Sequence, residues 1–166
     1  IGISFVEPWK KGEYKKAVKK AFKHSKSVIV EEFIGGEEFR FLVVNYKTIS
    51  VLNRIPSNVI GDGINTISQL IDTKNNDARN YKFFNDYALK RGKIEREHLK
   101  SQKLTFKSIP KKGKQIFLRT NSNVATGGDP IECSEKTHDK FKKIAEKAAR
   151  LVQAKICGVD MIINKG

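Results

Sequence analysis

Apolar residues recur along this chain with two periods, and the switches between them outline its elements. Over residues 12–25, Tyr14, Ala17, Val18, Ala21 and Phe22 return at steps of three and four, with Lys15, Lys16, Lys19, Lys20 and Lys23 between them. That is the pattern of an amphipathic helix. Residues 27–30 read as a short buried strand, interrupted by Glu31-Glu32-Phe33-Ile34-Gly35-Gly36. Residues 38–46 and 48–55 are rich in β-branched and aromatic side chains and predict two strands, with Asn45-Tyr46-Lys47 as a hairpin turn between them. A loop over 56–63 closes on Gly61-Asp62-Gly63, and Thr66 is placed to N-cap a helix reaching about Lys74.

The second half is less regular. Residues 75–96 are polar, and Tyr81, Phe83, Phe84 and Tyr87 argue for order, in part helical. Residues 106–110 lead to a turn at Lys112-Gly113, a short strand follows over 115–119, and 120–130 form a long polar loop. Residues 137–153 predict an amphipathic helix with Phe141, Ile144, Ala145, Ala148, Leu151 and Val152 on one face. A buried strand over 155–163 and a turn over 164–166 end the chain. No internal repeat is present. Hairpin-joined strands with helices docked on them define an α+β class, with a mixed, mostly antiparallel sheet.

At 166 residues, 39% hydrophobic and 31% charged, the chain has the composition of a folded domain rather than a disordered one. No apolar run approaches the roughly 20 residues of a membrane span, and no signal peptide is recognisable. The chain lacks an initiator methionine and opens as though inside a strand, as expected of a piece of something longer. Cys133 and Cys157 have no metal spacing; the expectation is reduced thiols in a cytoplasmic protein, with Cys157 a small core residue in the apolar run 154–163. None of His24, His98 and His138 has a spaced partner, and neither a nucleophile triad nor a Walker-type loop occurs.

The net charge of +15 has three readings. Lysine outnumbers arginine and lies largely on helical faces, so solvated lysines in a lysine- and asparagine-rich composition account for much of it. An anionic small substrate such as ATP is the second reading, and nucleic acid is the third.

Three stretches are unusual for a purely structural domain. In the first, a strand over 28–30 runs into Glu31, Glu32, Phe33, Ile34, two glycines, Glu37 and Glu38. Glycines let a ligand approach the backbone, and such a segment can offer main-chain groups to an adenine edge and a carboxylate to ribose hydroxyls. It also suits a β-bulge with solvated glutamates. In the second, Leu118-Arg119-Thr120-Asn121-Ser122-Asn123, followed by Gly127-Gly128, delivers a guanidinium fork and neutral donors into one loop. The same residue types build ordinary surface turns. The third is Asp160, a lone carboxylate in an apolar strand, which must either pair with a cationic side chain or bind a cation.

Taken in order, these motifs resemble the ATP-grasp ligases. They run Glu-Glu-Phe-Ile-x-Gly-x-Glu-x-Arg, Arg-Ile-Pro, Gly-Asp-Gly, Leu-Arg-x-Asn-Ser-Asn-x-x-Thr-Gly-Gly and Gly-Val-Asp. More narrowly, the chain is similar to the C-terminal glutathione synthetase domain of the bacterial enzymes that join glutamate–cysteine ligase to glutathione synthetase. Residues 154–160 and Lys74-Asn75-Asn76-Asp77 lean that way, and the likeness is weakest over 77–103.

The resemblance implies a partial ATP-grasp fold, with residues 1–30 the remnant of the small ATP-binding subdomain and 31–166 the hinge and large subdomain. It implies ATP and Mg²⁺, with γ-glutamylcysteine and glycine as substrates and an acyl-phosphate between them. Glu31, Glu32, Phe33 and Ile34 match the hinge that holds adenine, and Glu38 the carboxylate on the ribose. Asp160 matches a Mg²⁺ ligand and Arg119 the catalytic arginine on phosphate. Asn121, Asn123, Gly127 and Gly128 match the substrate loop, and Arg54 lies near the acceptor carboxylate. It also implies a glutamate–cysteine ligase domain in the same polypeptide and a homodimer. The family's phosphate-holding lysines would precede the loop whose tail 1–4 resembles, and a Glu-x-Asn for a second Mg²⁺ would follow Asp160, so this stretch alone is expected to be inactive. Cyanophycin synthetase shares much of the motif order. A nucleic-acid module stacking bases on Phe83, Phe84 and Tyr87 would leave Glu31, Glu32, Glu37 and Glu38 repelling the phosphates.

Overall fold

A computed structural model of the chain describes residue 6, residues 11–77 and residues 88–164. The opening residues 1–4, the aromatics Tyr81, Phe83, Phe84 and Tyr87, and the end of the final turn lie outside the described residues. The chain divides into two units, 1–35 and 36–166.

In the first unit, helix α1 spans Lys11–Ala21. Glu13 lies in its first turn and Lys19 and Lys20 in its last, each sign at the pole of the helix dipole it complements. Ala17, Val18 and Ala21 are half-buried, whereas Tyr14 and Phe22, expected on the same apolar face, are exposed. The strand expected over 27–30 does not form. Ile29 is 82% exposed, and no described strand pairs with this stretch, so its backbone runs on without sheet bonds.

The second unit is built on a four-stranded antiparallel sheet. Strand β1 (Glu37–Val44) turns through Asn45 and Tyr46 into β2 (Lys47–Ile55). Both turn residues have positive φ, 47° and 61°, the left-handed pair that matches the twist of a two-residue hairpin. The loop expected over 56–63 contains a short strand, β3 (Asn58–Ile60). Helix α2 (Ile67–Asn76) starts at Thr66 as expected: the Thr66 hydroxyl accepts from Gln69 N–H, and the Gln69 side chain accepts from Thr66 N–H, a capping box. Within the polar stretch 75–96 a third helix begins, α3 (Lys93–Ser101). Strand β4 (Gln115–Phe117) pairs with β3. A short 3₁₀ turn at Val124–Thr126 interrupts the polar loop, which gives way at Asp129 to β5 (Asp129–Glu132). Helix α4 (Asp139–Leu151) and strand β6 (Ile156–Ile163) complete the unit.

The sheet order is β5-β2-β1-β6, and every pairing is antiparallel. Side chains alternate across a strand. On one face Phe39, Phe41, Val43 and Val51 pack with Ala145 and Ala149 of α4, with Cys157, Val159 and Met161 of β6 at the margin. On the other face lie Glu38, Arg40, Arg54 and Asp160. A second core, under α2 and α3, gathers Val59, Ile67, Leu70, Ile71, Leu89, Leu99, Ile116 and Leu118.

Two expectations about burial fail in the same region. Strand β6 buries one face only: Cys157, Val159 and Met161 turn to the α4 side, whereas Ile156 and Ile162 lie on the face of Asp160 and are exposed rather than buried. On α4 Phe141, Ala145 and Ala149 meet the sheet, whereas Ile144, Leu151 and Val152 are exposed. Cys157 is partly buried against the core, as expected.

Candidate functional site

The face of the sheet opposite α4 concentrates charge. Antiparallel register sets Glu38 opposite Arg54 and Arg40 opposite Asp160, so one short stretch of three adjacent strands carries all four side chains. Arg40 binds Asp160 in a fork: Nε donates to Oδ1 and Nη2 to Oδ2, each at 2.7 Å. Arg54, largely buried, bridges the two acids, with Nη1 2.7 Å from Glu38 Oε1 and 3.3 Å from Asp160 Oδ2. The Arg54 Nε atom is buried without a hydrogen-bond partner among the described residues. The hydrogen bonds from Arg40, then its charge and that of Arg54, hold the Asp160 carboxyl below the ordinary carboxylate value despite partial burial. The same contact raises the Arg40 pKa.

The Asn/Gly loop reaches this cluster through Ser122, which is buried and whose hydroxyl donates to Glu38 Oε2. Asn121 and Asn123 flank it and are exposed. Asn123 shapes the loop, because its Oδ1 accepts from Ala125 N–H at 3.0 Å. Gly127 closes the 3₁₀ turn at φ 89°, and Gly128 packs so tightly that a Cβ there would sit 2.9 Å from the carbonyl oxygens of Ile55 and Ser122. The loop end is tied down by Asp129, whose Oδ2 accepts from Lys74 Nζ at 2.7 Å and from Asn58 Nδ2 at 2.8 Å. The two glycines therefore have a local reason to be glycines, close packing and a left-handed turn.

Arg119 is built differently. It follows Leu118, which is fully buried in the second core; its Nε donates to Oε1 of Glu95, and its Nη2 forms an ion pair with the same oxygen. Glu31, Glu32, Phe33 and Ile34 belong to the first unit, where they form no strand and lie exposed.

The structure thus gathers Glu38, Arg54 and Asp160 and links the Asn121–Asn123 segment to them. Of the two fates open to Asp160 it shows the paired one. Three residues with no assigned role enter the picture. Arg40 was legible as the residue two positions after Glu38 on one strand face. Ser122 sat inside a recognised motif. Glu95 carried only the spacing of a capping box, Gly92 to Glu95.

The antiparallel sheet and the helices packed on it are of the ATP-grasp type. No family model matches the chain. It is 46% identical over 167 residues to the glutathione biosynthesis bifunctional protein of Clostridium perfringens, covering 99% of this chain and 22% of that protein. The corresponding protein of Listeria innocua is 47% identical over 155 residues, 92% of this chain and 20% of the relative. The crystal structure of a bifunctional glutathione synthetase from Pasteurella multocida superposes with a TM-score of 0.69 at 35% identity, over 99% of this chain and 23% of that one. The chain is homologous to one stretch of the bifunctional glutathione biosynthesis proteins. It spans about a fifth of the length of the curated relatives it matches.

Proposed function

We propose that this chain forms part of an ATP-dependent carboxylate–amine ligase that makes glutathione from γ-glutamylcysteine and glycine. The observation that carries the reading is the match to the bifunctional glutathione biosynthesis proteins over 99% of the chain. In this reading residues 1–30 belong to the small ATP-binding subdomain and 31–166 to the hinge and large subdomain. The whole polypeptide is cytoplasmic, also carries a glutamate–cysteine ligase domain, and forms a homodimer. No helix among the described residues is long and apolar enough to cross a membrane.

The reaction has two steps. A carboxylate oxygen of γ-glutamylcysteine attacks the γ-phosphorus of ATP, a C–O–P linkage forms, and ADP leaves. Glycine's amine then attacks the acyl carbon, a C–N bond forms, the amine sheds a proton and phosphate departs. Little covalent work falls to the protein; it positions reactants and supplies charge. Glu31, Glu32, Phe33 and Ile34 hold adenine. Glu38 takes ribose hydroxyls: its oxygens already meet Arg54 and Ser122, but a carboxylate has about four acceptor sites. Arg119 contacts the transferring phosphoryl group. Asn121, Asn123, Gly127 and Gly128 line the substrate loop, and Arg54 faces the acceptor carboxylate.

Mg²⁺ with Asp160 as ligand belongs to the same family reading, but the described residues do not fit a metal site. Asp160 is bound by the Arg40 and Arg54 guanidinium groups, two cations that repel a metal ion at the same oxygens, and no three His, Cys, Asp or Glu side chains gather among the described residues. No step is therefore routed through a metal.

The test is ADP release by the full-length protein containing this chain, with MgATP, γ-glutamylcysteine and glycine, each omitted in turn. Release that needs all three supports the reading. Release with a peptide primer and aspartate or arginine instead moves the chain to cyanophycin synthesis.

A further inference from the structure

Glu95 is 1% exposed, the only charged residue so deeply buried among the described residues. A buried carboxylate must be satisfied, and this one is, from two sides. Oε2 accepts from Gly92 N–H at 2.8 Å, which fixes the side chain to the first turn of α3. Oε1 accepts from Nε of Arg119 and forms an ion pair with its Nη2, so the carboxylate lies along one edge of the guanidinium. Arg119 keeps 15% of its side chain exposed, and no described residue takes a hydrogen bond from its Nη1. The backbone below it is anchored as well: Leu118 N–H donates to Ser57 O at 2.7 Å, and the Leu118 side chain is fully buried.

We infer that Glu95 is a positioning residue for Arg119, clamping one edge of the guanidinium so that Nη1 is presented to an anionic ligand. This rests on the ligase reading for the identity of the anion, the transferring phosphoryl group. The clamp has a cost that makes the inference testable. A carboxylate beside a phosphate-binding arginine cancels part of its charge and weakens simple attraction for an anion. An arginine chosen for ground-state attraction alone would be better without it. An arginine that must sit in one orientation gains from it, since misplacement of a reacting or stabilising group by about 1 Å costs on the order of a hundredfold in rate.

The decisive variant is Glu95→Gln. Glutamine keeps the shape and can still accept from Gly92 N–H, as Gln69 does from Thr66 N–H, but it no longer holds the guanidinium by charge. In the full-length protein, kcat for ADP release should fall about tenfold to a hundredfold while KM for ATP changes less than about threefold. Combined with Arg119→Lys, the loss should be no greater than for Arg119→Lys alone. Wild-type kcat in Glu95→Gln, or losses that multiply in the double variant, would overturn the inference. Should the buried amide unfold the protein, Glu95→Asp carries the same test with the charge kept and the reach shortened by one methylene.

A readout independent of turnover separates this inference from the ligase reading. In the ¹⁵N-arginine-labelled chain, tripolyphosphate should perturb the Arg119 side-chain resonances, and Glu95→Gln should abolish both that response and the slow exchange of the Nε proton. If the wild-type enzyme releases no ADP but this response is present, the ligase reading fails and the positioning role stands. If Glu95→Gln leaves the Arg119 signals and their response unchanged, the positioning role fails whatever the enzyme does.

Discussion

The Arg40–Asp160 pair allows a sharp test of how the charged face is held. The proposed perturbation is a double-mutant cycle of Arg40→Gln and Asp160→Asn. The contact is bidentate at 2.7 Å and the residues are register partners on adjacent strands, so little side-chain freedom is lost in forming it. Against that, the side chains are 47% and 44% exposed, and water screens nearly half of each. Exposed pairs contribute about 0.2–1 kcal/mol, and this geometry places the coupling at the upper end, about 1 kcal/mol. Asp160→Asn should cost more than Arg40→Gln, because it also strips Arg54 of one of its two acids.

The pH dependence has a definite sign. The Asp160 carboxyl lies below its ordinary 3.8 in the folded chain, so its contribution is present above 3.8 and is lost as pH falls through the lower folded value. Urea-unfolding midpoints of the four proteins, at neutral pH and at successively lower pH below 3.8 with unchanged slopes, measure both. A coupling below about 0.2 kcal/mol at neutral pH, or one that grows as pH falls below the ordinary carboxylate value, would refute the reasoning.

Phe41→Ala removes a fully buried ring between the sheet and α4 and should cost about 3–5 kcal/mol in the same unfolding assay. Gly128→Ala forces a methyl group against two carbonyl oxygens and should cost about 1–3 kcal/mol; a neutral result would show that the loop can shift. Thr66→Ala removes the hydroxyl cap of α2 and should cost about 1 kcal/mol, read as a lowered unfolding midpoint.

Local signals were legible in the sequence. The β1–β2 hairpin followed from two β-rich runs around Asn45-Tyr46, and α2 followed from Thr66 and the periodicity behind it. Strand β3 did not, because its three residues gain a ladder from β4, far along the chain, and nothing local reports that partner. The periodicity puts Ile144, Leu151 and Val152 on the apolar face of α4, but a pattern shows only which side chains favour burial; whether a surface covers them is a separate, non-local fact. The site divides in the same way. The motifs named Glu38, Arg54 and Asp160, and Arg40 shares a strand face with Glu38 by the alternation of side chains. Their convergence needed the register of three strands. Glu95 lay in a polar stretch with no apolar period, and its burial follows from folding α3 over the second core.

The central claim, carboxylate activation by ATP, is tested most directly by oxygen transfer. γ-Glutamylcysteine labelled with ¹⁸O in the reacting carboxylate would be turned over by the full-length protein with MgATP and glycine, and the released phosphate analysed by mass. Passage through an acyl-phosphate moves one carboxylate oxygen to phosphorus, so the phosphate should carry a single ¹⁸O. Unlabelled phosphate alongside glutathione would contradict the account.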